Sequence, residues 1–215
     1  CRQSGKSDTI ASLLLKYACE NAGSYIGVVS PSFRQSKLII RKINAFLKRL
    51  PEGYYHKPQK TLVHLTNDSL IEAFPNNPET IRGLTLHVIF WDEAGHTPND
   101  EEMRDAILFT LSATNGKFIC SSTPWSTDSV FYRIFNDPDF GDFARNHVTW
   151  REALEPNGPL KKDILQKIQR QLRGDPWRWR REMEAEWAED ENVWLSQDLI
   201  TRCIGTVKNL GYDLE

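Results

Sequence analysis

Apolar and polar positions along this chain fall into blocks of two different periods. Three runs are apolar almost throughout: Tyr25-Ile26-Gly27-Val28-Val29, Thr85-Leu86-His87-Val88-Ile89-Phe90-Trp91 and Lys117-Phe118-Ile119-Cys120. Short unbroken runs of this kind predict strands covered on both faces, as in a parallel sheet. Between them the apolar residues recur at helical spacing. Ile10, Leu13, Leu14, Tyr17 and Ala18 share one face. Ser32 predicts the cap of a helix reaching about Leu50, with Ile39, Ile40, Ile43, Phe46 and Leu47 turned inward. Asn99-Asp100-Glu101-Glu102 predicts another helix start, with acids in its first turn and Ile107, Leu108 and Leu111 further along.

The remaining pattern is finer. Thr61–Thr66 and Ser69–Phe74 flank Asn67-Asp68, which predicts a hairpin. Pro75-Asn76-Asn77-Pro78 breaks regular structure. Ser129 to Phe135 predicts a short helix, and Val148-Thr149-Trp150 a further strand. Pro156-Asn157-Gly158-Pro159 marks a linker, beyond which a helical segment begins. Strands alternating with helices predict an α/β fold: three layers, a mostly parallel sheet with helices on both faces, then a small helical subdomain. The expected division is a core over 1–155, a lid or linker subdomain over 156–206, and the start of a further domain over 207–215.

Composition narrows this little. The chain has 215 residues, 40% hydrophobic and 26% charged, with a formal net charge of −2. A polyanion-binding surface must therefore be local rather than global. Two stretches qualify. The helix after Ser32 carries Arg34, Lys37, Arg41, Lys42, Lys48 and Arg49 away from its apolar face, either as a solvated face or as a DNA contact. Residues 161–181 carry eight Lys and Arg against Asp163 and Asp175, interleaved with Trp177 and Trp179. Core tryptophans under a basic surface and a DNA-facing patch both fit. Glu182, Glu184, Glu186, Glu189, Asp190 and Glu191 then reverse the sign. The four cysteines are scattered without a CxxC pair, which suits reduced thiols better than a zinc site or disulfides. No apolar run approaches the roughly 20 residues of a membrane span.

Three places carry candidate chemistry. Cys1-Arg2-Gln3-Ser4-Gly5-Lys6-Ser7 fits the last seven positions of a GxxxxGK[ST] phosphate loop. In such a loop the backbone N–H groups of Gln3, Ser4, Gly5 and the first helical turn, through Asp8, cradle phosphates. Lys6 reaches the β- and γ-phosphates of ATP, and the Ser7 hydroxyl binds Mg²⁺. A Gly-Lys-Ser tripeptide alone is also compatible with a polar loop before an ordinary helix. The central apolar run ends in Asp92-Glu93. Two carboxylates at a buried strand end are costly unless something uses their charge: Asp92 as a Mg²⁺ ligand, Glu93 as the base that polarises an attacking water. A plain helix-capping pair is the alternative. Ser121-Ser122-Thr123-Pro124 ends the third run in hydroxyls suited to sensing a γ-phosphate or holding water. His96 is a polar loop histidine or a γ-phosphate sensor. The chain opens inside a motif and closes on Leu210-Gly211-Tyr212-Asp213, so it is read as a piece of a longer protein, and residues 1–215 alone are expected to hydrolyse ATP weakly or not at all.

Taken together these residues resemble the large terminase subunit, the DNA-packaging motor of tailed bacteriophages and related viruses. The resemblance rests on the arginine-bearing loop Cys1–Ser7, on Thr80-Ile81-Arg82-Gly83-Leu84-Thr85 followed by Val88–Ala94, on Ser121-Ser122-Thr123-Pro124-Trp125, and on Glu182-Met183-Glu184-Ala185-Glu186-Trp187. It implies an ASCE-type P-loop NTPase with a lid subdomain, using ATP and Mg²⁺. It implies that Arg2 contacts phosphate within its own subunit, that Arg82 serves as an arginine finger for a neighbour's ATP, and that Ser121, Ser122 and Thr123 couple hydrolysis to movement. It further implies a homo-oligomeric ring acting on double-stranded DNA with a portal protein and a small terminase subunit, in the cytoplasm of the infected host or a host carrying a prophage. A C-terminal RNase H-like nuclease is implied as well, with Asp213 on its first strand. A RecA-like helicase and a non-catalytic DNA-binding assembly module are the competing readings.

Overall fold

The structure, a computed structural model, describes residues 1–187. Its five strands are β1 (Tyr25–Val29), β2 (Leu62–His64), β3 (Leu70–Phe74), β4 (Val88–Asp92) and β5 (Lys117–Ser121). They form one sheet in the order β2-β3-β1-β4-β5. β3, β1, β4 and β5 run parallel, and β2 closes the hairpin on β3 antiparallel. Asp68, in the tight turn of that hairpin, takes the left-handed conformation at φ 65°, which Asp tolerates better than most residues.

The all-apolar pattern of β4 follows from its place in the sheet. Val88 and Phe90 pack into a core shared with α1 (Lys6–Glu20) and α2 (Phe33–Leu47). Ile89 and Trp91 pack into a second core on the opposite face. Successive side chains point to opposite faces of a strand, and here both faces are covered, so nothing polar is tolerated until Asp92. Phe90 is wholly shielded, a burial worth about 1.5–3 kcal/mol.

The first helical layer is set by its caps. Ser32 and Gln35 form a capping box at the head of α2, which satisfies backbone donors reciprocally. α3 (Pro78–Ile81) is a single turn capped by Asn77, and Arg82 follows it. On the second face α4 (Asp100–Ser112) supplies Met103, Ala106, Ile107 and Leu111 to the core. α5 (Val130–Asn136) starts at its cap Ser129, as expected.

The strand expected at Val148-Thr149-Trp150 is absent. Thr149 is instead the cap of α6 (Trp150–Ala153), its side chain and that of Glu152 forming a second capping box. The Pro156–Pro159 stretch is a reversal rather than an open linker: Leu160 N–H donates to Ala153 O at 2.9 Å, and Leu154 bridges Leu160. α7 (Lys162–Gln171), α8 (Pro176–Trp179) and a π-turn (Arg180–Glu184) follow. Trp177 and Trp179 are only half-buried, so neither is a core residue. Trp179 donates to Glu184 and Arg180 lies over Trp177. The nuclease expectation at 207–215, with Asp213, and the lid beyond residue 187 lie outside the described residues.

Candidate functional site

The parallel register brings the C-terminal ends of the strands to one edge. Asp92 on β4 lies opposite Ser121 on β5. This edge of an open α/β sheet is where ligands bind. The phosphate-loop candidate leads into α1 through Gly5, whose φ of 86° marks a left-handed turn that glycine adopts without strain. Gln3 is also left-handed, at φ 57°. Asp8 and Thr9 donate their N–H groups back to Gly5 O. The Lys6 ammonium folds over the loop to the Cys1 carbonyl at 3.3 Å, and the Ser4 hydroxyl reaches the same oxygen at 3.0 Å.

A cavity of about 520 Å³ opens here. Arg2, Gln3, Ser4, Gly5, Lys6, Ser7 and Asp8 line one side, and Glu93 and His96 the other. Seven expected loop residues and the proposed base are thus brought to one chamber. Two residues that the sequence did not single out for this site join them from the N-terminal part and middle of α2: Gln35 and Lys42. Lys42 Nζ pairs with Asp8 Oδ2 at 2.6 Å. The only sequence signal for Lys42 was its place on the basic face of α2, which does not tell solvent from cavity.

Asp92 is buried, and Ser121 Oγ donates to its Oδ1 at 2.8 Å. Burial pushes its carboxyl above the ordinary range, against the Ser121 hydrogen bond and the nearby Lys6 charge. Glu93 leaves the strand in the left-handed conformation, φ 51°, and its side chain is 30% exposed. Among the described residues only long contacts hold it: Ser122 Oγ and His96 Nδ1, each 3.5 Å from Oε2. Ser122 Oγ also accepts the Gly95 N–H at 3.2 Å and donates to Thr123 O at 2.9 Å. Thr123 is buried. The hydroxyls at the end of β5 therefore touch both acids, Ser121 on Asp92 and Ser122 on Glu93. The turn behind the acids is fixed by Trp91, whose indole N–H donates to Thr97 Oγ1 at 3.0 Å.

Arg2 is exposed at the loop and is met by the π-turn. Its backbone N–H donates to Glu182 O at 3.0 Å, and its guanidinium pairs with the Glu182 carboxylate at 2.5 Å. Glu182 is buried. Arg82 is not brought to the chamber. It stands exposed after α3, beside Gly83 at φ 82°, and its guanidinium contacts Glu79 one turn back.

The donor set suits a nucleotide with a magnesium ion. The loop offers turned backbone and a lysine to phosphate. Mg²⁺ takes one or two protein oxygens together with phosphate and water, and Ser7 and Asp92 are of that type. The buried Asp92 carboxylate has one oxygen engaged by Ser121 and a charge that burial opposes, which a cation offsets.

Known structures share this fold. The Thermus Phage P74-26 large terminase ATPase domain superposes with a TM-score of 0.63 at 23% identity, covering 87% of this chain and 86% of that one. The large terminase of another thermophilic bacteriophage gives 0.73 at 18% identity, over 92% of this chain and 50% of that one. The HK97 bacteriophage large terminase gives 0.67 at 19% identity, over 86% and 45%. The chain thus spans about half the length of these last two proteins. The second of the three has been crystallised in complex with ADP and with ATP-gamma-S. The fold is that of a P-loop ATPase domain, with the mostly parallel sheet expected from the sequence. The family model for the N-terminal part of the T4-like-virus type of large terminase subunit matches residues 1–202, and the chain belongs to that family.

Proposed function

We propose that this chain is the ATP-hydrolysing part of a viral genome-packaging motor, coupling ATP hydrolysis to the movement of double-stranded DNA into a procapsid. The observation that carries the proposal is the paired placement of Asp92 and Glu93 at the end of β4. Each is in contact with a β5 hydroxyl, and Glu93 faces the phosphate loop across one cavity.

In this reading Lys6, the loop N–H groups and Arg2 hold the phosphates and oppose their charge. Ser7 and Asp92 would hold Mg²⁺, which supplies charge stabilisation to the transferring phosphoryl group. Glu93 orients and deprotonates the attacking water. Ser121 and Ser122 touch the two acids, Thr123 accepts the Ser122 hydroxyl through its carbonyl, and the three report the state of the acids to the rest of the fold. Gln3, Ser4, Gly5 and Asp8 shape the phosphate cradle. Arg82, exposed and away from its own chamber, is placed to serve a neighbouring subunit in a ring. The acid-free exposed face of α2 and the basic stretch from Lys161 to Arg181 are the surfaces suited to DNA phosphates. Portal protein and small terminase subunit are the expected partners, in the cytoplasm of an infected cell. Among the described residues no helix is long and apolar enough to cross a membrane. Residues 156–206 act as the lid, and a nuclease domain begins at 207.

The test is packaging by the full-length protein with procapsids and double-stranded DNA. Wild type is expected to protect DNA from nuclease only with ATP and Mg²⁺, and Lys6→Ala to abolish both protection and turnover. Undiminished ATP turnover by Lys6→Ala contradicts the assignment.

A further inference from the structure

The turn after β4 sets three side chains from separate parts of the chain in contact behind Glu93. His96 Nδ1 lies 3.5 Å from Glu93 Oε2 and 3.3 Å from Ser122 Oγ. The imidazole packs on Trp125, with ring centroids 4.7 Å apart and planes at 41°. The same indole carries the Arg181 guanidinium 4.2 Å from its centroid. Arg181 sits in the π-turn Arg180–Glu184, beside the Glu182 that meets Arg2.

The protons on these groups can be accounted for. Ser122 Oγ accepts from Gly95 N–H, and its own proton has two acceptors in reach, Thr123 O at 2.9 Å and Glu93 Oε2 at 3.5 Å. A histidine tautomer is set by its partners. An imidazole nitrogen facing a carboxylate oxygen and a hydroxyl whose proton is spent elsewhere must itself carry the hydrogen. Nδ1–H is then the donor, and Nε2 carries the lone pair. Among the described residues Nε2 is buried without a partner. Burial also lowers the affinity of His96 for a proton. Glu93 and Glu182 favour its protonation, Arg2 and Arg181 oppose it, and burial is the largest influence. The ring is thus favoured in its neutral form, hydrogen-bonded to Ser122 Oγ at 3.3 Å and in 3.5 Å contact with Glu93 Oε2.

We propose that His96 is the positioning residue for the Glu93 carboxylate, and that the His96–Trp125–Arg181 stack ties the orientation of that carboxylate to the π-turn that also engages Arg2. The proposal rests on the reading of Glu93 as the base. Among the described residues Glu93 has no side-chain hydrogen bond shorter than 3.5 Å, so a contact of this kind decides where its carboxylate points. Misplacing a reacting group by about 1 Å costs on the order of 10²-fold in rate.

The experiment uses the full-length protein with steady-state ATP hydrolysis and equilibrium binding of ATP-gamma-S. His96→Phe keeps a ring on Trp125 and removes the N–H. It is expected to lower kcat by roughly 10- to 100-fold while KM and the analogue Kd stay within about threefold. His96→Gln, which retains a donor, is expected to restore most of the rate. Trp125→Ala is expected to lower kcat with the same split, and the His96→Phe, Trp125→Ala double variant to be no slower than His96→Phe alone. Wild-type kcat in His96→Phe overturns the positioning role, as does a loss that appears wholly in nucleotide affinity. Fully multiplicative losses in the double variant overturn the stack as a unit. The parent reading is tested apart from this: if Glu93→Gln keeps turnover, Glu93 is not the base, whatever the His96 variants do.

Discussion

Glu182→Gln should tighten ATP binding if Arg2 contacts phosphate as proposed, because the Glu182 carboxylate holds that arginine. The guanidinium of Arg2 pairs with Glu182 at 2.5 Å; the Arg2 side chain is 56% exposed and that of Glu182 10%. A pair with one partner this exposed is screened, and such pairs are worth about 0.2–1 kcal/mol. Removing the competing charge should therefore lower the Kd for ATP-gamma-S by about 1.5- to 5-fold. Glutamine is a clean probe, since the backbone bond from Arg2 N–H to Glu182 O does not depend on the side chain. Calorimetric titration of the full-length protein with ATP-gamma-S and Mg²⁺ reads the effect, which should shrink between low and high salt. In an Arg2→Ala background the gain should largely disappear. Weaker binding by Glu182→Gln, or a gain of the same size without Arg2, refutes the idea of competition for Arg2.

Further outcomes are expected elsewhere. Asp92→Asn should raise the thermal midpoint of the protein at neutral pH, measured without nucleotide, while abolishing Mg²⁺-dependent hydrolysis. Burial raises the Asp92 carboxyl pKa, so the folded state is favoured with the group protonated and loses stability as pH rises through its folded value. Differential scanning fluorimetry should show the advantage of Asn fading toward acid, and an advantage that grows toward acid contradicts the sign. Ser32→Ala should cost about 1 kcal/mol of stability by removing the α2 cap, with KM for ATP unchanged; denaturant titration and kinetics check the two halves. Arg82→Ala should leave nucleotide binding by single subunits intact and slow hydrolysis only in the assembled ring. Normal turnover in the ring removes its role toward a neighbour.

Much of the fold could be read from local pattern because local pattern determined it. β1 and β4 are apolar on both faces because both faces are covered, while the edge strand β5 is only half-buried. The Asn67-Asp68 turn set the β2–β3 hairpin, and Ser32 set the start of α2. The wrong strand at Val148-Thr149-Trp150 shows the limit. Three β-prone residues suggested period two, whereas the Thr149-to-Glu152 spacing of a capping box decided for a helix turn. At the site, the loop residues and Asp92-Glu93 were legible because their chemistry lies in contiguous stretches. Lys42 and Glu182 were not. Each reaches the loop by a contact across the fold, Lys42 to Asp8 and Glu182 to Arg2, and no spacing rule encodes such pairs. The tryptophans of α8 were similarly ambiguous: half-burial against Glu184 and Arg180 is neither the core nor a free patch.

Everything proposed for this site turns on Glu93 activating water for a nucleotide held at the Lys6 loop. The most direct measurement pairs ATP-gamma-S affinity with single-turnover ATP hydrolysis in full-length Glu93→Gln. Affinity should stay within about threefold of wild type, and hydrolysis should slow by about 10²-fold or more. Hydrolysis at the wild-type rate with unchanged affinity contradicts the role of Glu93 as the base.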